Sequence, residues 1–202
     1  MKIKICGMKY SKNILEASQL HPDFLGFIFW KKSPRYFQGV LPRLPDTIKK
    51  VGVFVDASLD EMLSRIRQYD LDLVQLHGNE TVATCQSLKA LNIPVIKVFS
   101  VGAAFSLASL EPFEAVCDYF LLDTKGKMPG GNGTIFDWQI LKDYRSAKPL
   151  FLSGGIGIEE ISILQQLDLP VYAIDINSKF ETEPGLKNIA LLKEVLPLKN
   201  KR

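Results

Sequence analysis

Short apolar runs and longer amphipathic stretches alternate along the whole chain. Runs suited to buried strands begin at Lys2, Asp23, Val51, Leu71, Pro94, Asp118, Pro149 and Val171, at intervals of 20 to 31 residues. Helical spacing of apolar positions fills 11–20, 59–69, 81–91, 103–113, 136–144, 158–167 and 188–196, with a weaker, proline-interrupted segment at 40–48. Strict alternation of strand and helix predicts a parallel sheet. Eight such units predict an α/β fold of one closed (β/α)8 TIM-type barrel over 1–198, followed by a short basic tail at 199–202. The rival is an open, doubly wound sheet. Against it, the first turn after a strand, Cys6-Gly7-Met8, lacks the G-x-G-x-x-G pattern of a dinucleotide site.

The stretch from Pro149 to Gly157 breaks from an apolar run into a glycine cluster and then into a helical pattern. Glycines let backbone N–H groups approach an oxyanion closely, and the unpaired N–H groups of a helix start carry partial positive charge toward it. The same glycines could merely turn the chain between two elements. Position favours phosphate, because a barrel of this kind keeps its phosphate site after strands seven and eight.

Composition narrows the class. With 47% hydrophobic residues the chain has enough apolar surface for a sizeable core, and its longest apolar run, from Phe24 to Trp30, is too short to span a bilayer. The first residues hold lysines without a following apolar region, so no secretion signal is expected. Cys6, Cys85 and Cys117 are odd in number and far apart, which gives neither a disulfide framework nor metal-ligand spacing. A reducing, cytoplasmic setting and no metal are the expectation. The net charge of +3 is carried by scattered basic residues, which argues against a nucleic-acid partner.

Chemistry in a barrel belongs at the C-terminal ends of its strands. Those ends hold Cys6, the segment Lys31-Lys-Ser-Pro-Arg35, Asp56, Gln75-Leu-His77-Gly78, Asp123, the cluster from Ser153 to Gly157, and Asp175-Ile-Asn-Ser178. Six of the 14 glycines lie in the loops after strands six and seven, as expected of a cover and a ligand grip. Several motifs stand in order: Lys4-Ile-Cys-Gly-Met8, Phe27-Ile-Phe-Trp-Lys-Lys-Ser-Pro-Arg35, Val51-Gly-Val-Phe-Val55, Val74-Gln-Leu-His-Gly78, Leu122-Asp123, Gly130-Gly-Asn-Gly133, Phe136-Asp-Trp138, Ser153-Gly-Gly-Ile156, Asp175-Ile-Asn-Ser178, Glu181 and Pro184-Gly185. Together they resemble the phosphoribosylanthranilate isomerases of tryptophan biosynthesis, over nearly the whole chain.

That resemblance implies a cofactor-free Amadori rearrangement of N-(5′-phosphoribosyl)anthranilate to the 1-deoxyribulose 5-phosphate. A small phosphorylated molecule is then the partner, and the enzyme is a monomer or a homodimer. By the same resemblance Asp123 is the general acid and Cys6 the general base. A free Asp titrates near about 3.9 and a free Cys near about 8.5, so both roles need shifted values. Arg35 would face the anthranilate carboxylate. Gln75, His77, Gly131 and Gly133 would contact substrate, and Gly154, Gly155, Asn177 and Ser178 would hold the phosphate. Each residue has a plainer alternative: Cys6 as a packed core thiol, Asp123 as a turn cap, Arg35 as a solvated loop residue, Gln75 and His77 as partners of loop backbone. His21, Cys85 and Cys117 are expected to stand outside the chemistry.

The chain departs from the family pattern at three positions. Lys179 stands where glycine is common and predicts a reshaped loop, Asn188 stands where Asp is common, and Thr134 stands where a basic residue often follows the glycine loop. Two rival functions keep their place. A different phosphosugar barrel enzyme would share the phosphate loops without needing both Cys6 and Asp123, and a noncatalytic phosphate-binding barrel would need neither.

Overall fold

The computed structural model describes residues 1–102, 104–124 and 137–197. Eight parallel strands close in sequence order into a barrel: β1 (Lys2–Ile5), β2 (Phe24–Ile28), β3 (Lys49–Phe54), β4 (Leu73–Leu76), β5 (Val95–Val101), β6 (Tyr119–Thr124), β7 (Leu150–Ser153) and β8 (Val171–Ile176). The seam pairs β1 with β8 in the register Lys4↔Asp175 and Ile5↔Ile176. The doubly wound alternative is thereby excluded.

Among the described residues five α-helices pack outside: α1 (Ser11–Ser18), α2 (Leu59–Tyr69), α3 (Val82–Ala90), α4 (Ile158–Gln166) and α5 (Ile189–Val195). Local chemistry sets their ends. The Ser58 hydroxyl accepts from the Glu61 N–H at 3.2 Å to start α2, with Asp60 and Glu61 in the first turn, and Asp70 stops that helix in the left-handed conformation at φ 49°. Asn188, in place of the commoner Asp, caps α5 by accepting from Ala190 N at 3.0 Å and Leu191 N at 3.3 Å. That departure keeps the cap.

Three of the expected helices are different. The segment 40–48 forms no helix, because Pro42 and Pro45 remove backbone donors, and the chain passes from β2 to β3 as an irregular loop. The patterns at 103–113 and 136–144 fold as 3-10 helices, Leu107–Phe113 and Trp138–Asp143, the first carrying Pro112 within it. A hairpin that periodicity did not announce, β9 (Glu181–Glu183) and β10 (Leu186–Lys187), follows β8. Its turn is Pro184-Gly185, with Gly185 at φ 90°, the conformation that favours glycine. The tail at 199–202 lies outside the described residues. No helix among the described residues is long and apolar enough to cross a membrane.

Alternation along the strands divides the buried residues in two. One side chain set packs against the helices; the other, Phe24, Val51, Leu73, Ile96, Val98, Leu121, Phe151 and Ala173, fills the barrel interior. An extra residue on β8 between the partners of Leu150 and Phe151 lets Tyr172 join this inner group. Phe151 meets Phe24, Tyr119 and Tyr172 with ring centroids 5.2, 5.6 and 5.7 Å away. This aromatic floor closes the bottom and leaves the other end to polar groups. Phe151→Ala should therefore cost about 3–5 kcal/mol of stability, read as a lower urea midpoint; a loss below about 1 kcal/mol would mean the floor carries little of the fold.

Candidate active site

The C-terminal strand ends form a cavity lined by Cys6, Arg35, Gln75, His77, Gly154, Gly155, Asp175, Asn177, Ser178 and Lys179, with Ile28, Trp30 and Val53 among its apolar walls. Strand geometry explains the selection. Inward positions recur every second residue, so Lys4 and Cys6 at β1, Gln75 and His77 at β4, and Asp123 on β6 all turn toward the barrel axis or its mouth. Register then places Asp123 beside Ser153 and Ser153 beside Asp175.

Cys6 is 5% exposed. Burial pushes its thiol above the ordinary range, and Asp175 adds to that; the ammonium groups of Lys4 and Lys187 pull it back. The unliganded protein thus holds Cys6 as a thiol, the opposite of the shift a base needs. Asp123 is 3% exposed and lies 3.2 Å through Oδ2 from His77 Nε2. The Gln75 amide nitrogen lies 3.2 Å from His77 Nδ1, and when it donates there, Nε2 carries the hydrogen that faces Asp123. Gln75, His77 and Asp123 are one chain of hydrogen bonds. Its anchor lies outside the barrel, where the Glu80 carboxylate accepts from Gly78 N at 3.0 Å, Asp56 N at 3.0 Å and the buried Lys97 ammonium at 3.0 Å.

Arg35 does not hold an open fork. Its Nε lies 2.9 Å from Glu181 Oε1 and its Nη2 lies 2.7 Å from Glu181 Oε2, so one edge of the guanidinium is spent on that carboxylate. Nη1 and the outer N–H of Nη2 remain directed away from Glu181, with the cavity beside them. Gly7, at φ 75°, makes room: a Cβ there would lie 2.7 Å from Arg35 Cδ and 2.8 Å from Asn177 Oδ1.

Glu181 also accepts from Lys187 Nζ at 2.7 Å and from Gly185 N at 3.1 Å, and Lys187 donates onward to Asn177 Oδ1 at 2.7 Å. The hairpin therefore braces both Arg35 and the loop after β8. The Asn177 carbonyl oxygen is used in this brace. Lys187 is 2% exposed, and burial outweighs the attraction of Glu181, taking its ammonium from 10.5 down to about 8. Arg35 and Lys187 hold the Glu181 carboxyl below its ordinary range against the effect of burial.

The glycine loop after β7 contains Gly154 at φ 96° and Gly155 at φ 67°. A Cβ on Gly154 would sit 2.6 Å from Thr124 N, so glycine is required there twice over. At the start of α4 the Gly157 N–H is taken by the Glu160 carboxylate at 2.8 Å, which removes one of the expected anion donors. The loops after β7 and β8 do meet, since a Cβ on Gly157 would lie 3.8 Å from Lys179 Cβ. Lys179 occupies a short 3-10 helix, Ser178–Phe180, without positive φ. Its place needs no glycine in this chain. Gly131, Gly133 and Thr134 lie outside the described residues.

The model of the family described as N-(5′phosphoribosyl)anthranilate (PRA) isomerase matches residues 3–197. The chain belongs to this family. A relative named N-(5′-phosphoribosyl)anthranilate isomerase, from Phocaeicola vulgatus, is 43% identical over 94% of this chain and 93% of its own. The crystal structure of phosphoribosyl anthranilate isomerase from Thermotoga maritima is similar with a TM-score of 0.85 at 30% identity, covering 99% of this chain and 98% of that one. A phosphoribosyl anthranilate isomerase in complex with reduced 1-(o-carboxyphenylamino)-1-deoxyribulose 5-phosphate is similar with a TM-score of 0.82 at 29% identity, covering 99% and 97%.

Within this family frame, the groups that sequence reading gave no role are the charged ones that support the others: Lys4, Asp175, Glu181 and Lys187. Lys4 carried a signal, since a lysine at an inward position two residues before Cys6 has no solvent to reach. Lys187 carried none and Glu181 only its place in the motif order, because their meeting depends on the hairpin. The lowered value of Lys187 has a consequence for stability. Between pH 8 and 10.5 the unfolded chain holds this proton and the folded one does not, so stability rises with pH across that window. Urea unfolding at both ends of it should show the Lys187→Met variant losing this rise, by up to roughly 3 kcal/mol relative to the parent; parallel pH profiles would mean the ammonium is not destabilised by burial.

Proposed function

We propose that this chain isomerises N-(5′-phosphoribosyl)anthranilate to 1-(2-carboxyphenylamino)-1-deoxyribulose 5-phosphate, with Asp123 as acid and Cys6 as base. The observation that carries the reading is the placing of a buried carboxyl on β6 and a buried thiol just after β1, three strands apart around one barrel mouth. The family, and a homologue complexed with a reduced form of the product, support the choice of substrate.

In this reading His77 holds Asp123 Oδ2 and leaves Oδ1 to protonate the ring oxygen of the furanose. The C1′–O4′ bond breaks with electrons moving onto oxygen, and nitrogen shares the charge left at C1′ as an iminium. Cys6, as thiolate, removes the C2′ proton, and the electron pair of that C–H bond forms the enolamine. The thiol then returns a proton to C1′ while the Asp123 carboxylate takes the proton of the C2′ hydroxyl. The product is the ketone, and both groups regain their starting forms. Water-excluding walls protect the ring-opened species from hydrolysis.

Arg35 presents its outer edge to the anthranilate carboxylate, Glu181 fixing the opposite edge. Gly154, Gly155 and Ser178 give the phosphate a backbone cradle, Asn177 is held beside them by Lys187, and Lys179 adds charge at its rim. Gln75 acts through His77. Gly131 and Gly133, outside the described residues, complete the reading as substrate contacts.

Freshly generated substrate mixed with the protein should lose its anthranilate-type fluorescence. Cys6→Ala and Asp123→Asn should each lower kcat by roughly 10²–10⁴-fold, the usual contribution of one positioned acid or base, with melting temperature little changed. Near-parent kcat in either variant removes that residue from its role, and no turnover by the parent removes the reaction.

The phosphate cradle has a separate test. Inorganic phosphate should compete with substrate and raise the melting temperature by mass action. Gly155→Val should abolish that protection, because a β-branched residue at φ 67° is strained and fills the cradle. Equal protection of parent and variant would place the phosphate elsewhere.

A further inference from the structure

Lys4 is fully buried in the barrel interior, and its position is unusual for a residue with no direct part in the chemistry above. Its only oxygen partner among the described residues is Asp175 Oδ2 at 2.8 Å, across the β1–β8 seam. An ammonium has three donors, so two point elsewhere. Gly26 on β2 shows where: a Cβ at that residue would lie 2.9 Å from Cys6 Sγ and 3.1 Å from Lys4 Nζ. Sulfur and ammonium both crowd that one point. Any side chain at residue 26 would displace one of them, and glycine leaves the two groups converging on the same place.

We infer that Lys4 is a positioning residue whose ammonium favours the anionic, proton-accepting form of the Cys6 sulfur against the burial that opposes it, with Asp175 fixing the ammonium in place. The inference rests on the reading of Cys6 as the base. Charge bookkeeping around the sulfur supports it. The cations that face this end of the barrel are Lys4 from β1, Lys187 from β10 and Arg35 from the loop after β2, and the carboxylates are Asp175 from β8 and Glu181 from β9. Three positive charges meet two negative ones. A thiolate at Cys6 makes the group neutral, provided that Asp123, beside His77 on the far side of the mouth, carries its proton.

Two features single out Lys4 from the other cations. Lys187 and Arg35 both spend their charge on Glu181, at 2.7 Å each. Lys4 shares Asp175, whose Oδ1 is buried without a hydrogen-bond partner among the described residues. Asp175 therefore opposes the thiolate as well as anchoring the lysine, and the two effects can be separated by substitution.

The experiment follows the rate at which iodoacetamide alkylates Cys6 in the unliganded protein from about pH 6 to about pH 10, by peptide mass spectrometry that counts Cys85 and Cys117 separately. Alkylation reads the thiolate fraction, which falls about tenfold for each unit by which the thiol lies further above the pH. Asp175→Asn keeps the ammonium and removes its competitor. Lys4→Met with Asp175→Asn removes both charges and strands neither. The double variant should react roughly tenfold more slowly than Asp175→Asn at about pH 8, with its profile displaced upward by about one unit. Coincident profiles for the two folded variants would overturn the inference. If the double variant fails to fold by circular dichroism, Lys4→Gln against the parent decides on the same criterion. Cys6→Ala with normal turnover would overturn only the assignment of the base, since alkylation of the parent does not depend on it.

Discussion

Closure of the sheet between β1 and β8 is the constraint on which the rest of the molecule depends. It joins residues 171 positions apart, and at the join it places an ammonium against a carboxylate with the Lys4 side chain fully and Asp175 almost fully buried. Neither charge is tolerable there alone, because removing one partner of a buried pair typically costs about 3–5 kcal/mol. The pair thus depends on the barrel closing in one register. A shift by one residue would turn Lys4 toward the helices and Cys6 with it.

The two ends of the barrel divide the work. At the floor, Phe24, Phe151 and the ring of Tyr119 fill the interior, and apolar burial there supplies stability. At the mouth, Gly26, Gly7 and Gly154 are places where a Cβ would collide with a neighbouring side chain or backbone, so small residues create the room that charged groups occupy. Polar groups at the mouth are held in chains rather than singly. Arg35, Glu181, Lys187 and Asn177 form one such chain, and Gln75, His77 and Asp123 another. Each side chain in these chains has its rotamer fixed by the next, which is the condition for holding a substrate in a reactive geometry.

The first of these chains also explains why the hairpin after β8 matters to a site it does not enter. Glu181 and Lys187 come from its two strands, and Gly185 at its tip donates a further N–H to the same carboxylate. The guanidinium of Arg35 is steadied from behind, and the loop that begins at Asn177 is steadied from the side. A basic residue that reads as an independent substrate anchor is, in the folded protein, the outer end of a braced network.

Much of this was legible in the order of residues. Alternating runs named eight strands, because parallel strands buried on both faces are short, apolar and separated by helical stretches. Motif order pointed to the family and put Cys6, Arg35, His77, Asp123 and the late glycines at strand ends, because a barrel exposes each strand's C-terminal end at one mouth. Helix identity was less secure: prolines turned 40–48 into a loop, and the stretches around 103–113 and 136–144 wound more tightly than their spacing suggested. Only the tertiary structure decided which charges meet. That Glu181 takes the inner edge of Arg35, that His77 faces Asp123, and that Lys4 rather than solvent stands beside Cys6 are matters of a few ångströms between segments distant in sequence, and such distances exist only once the barrel has closed.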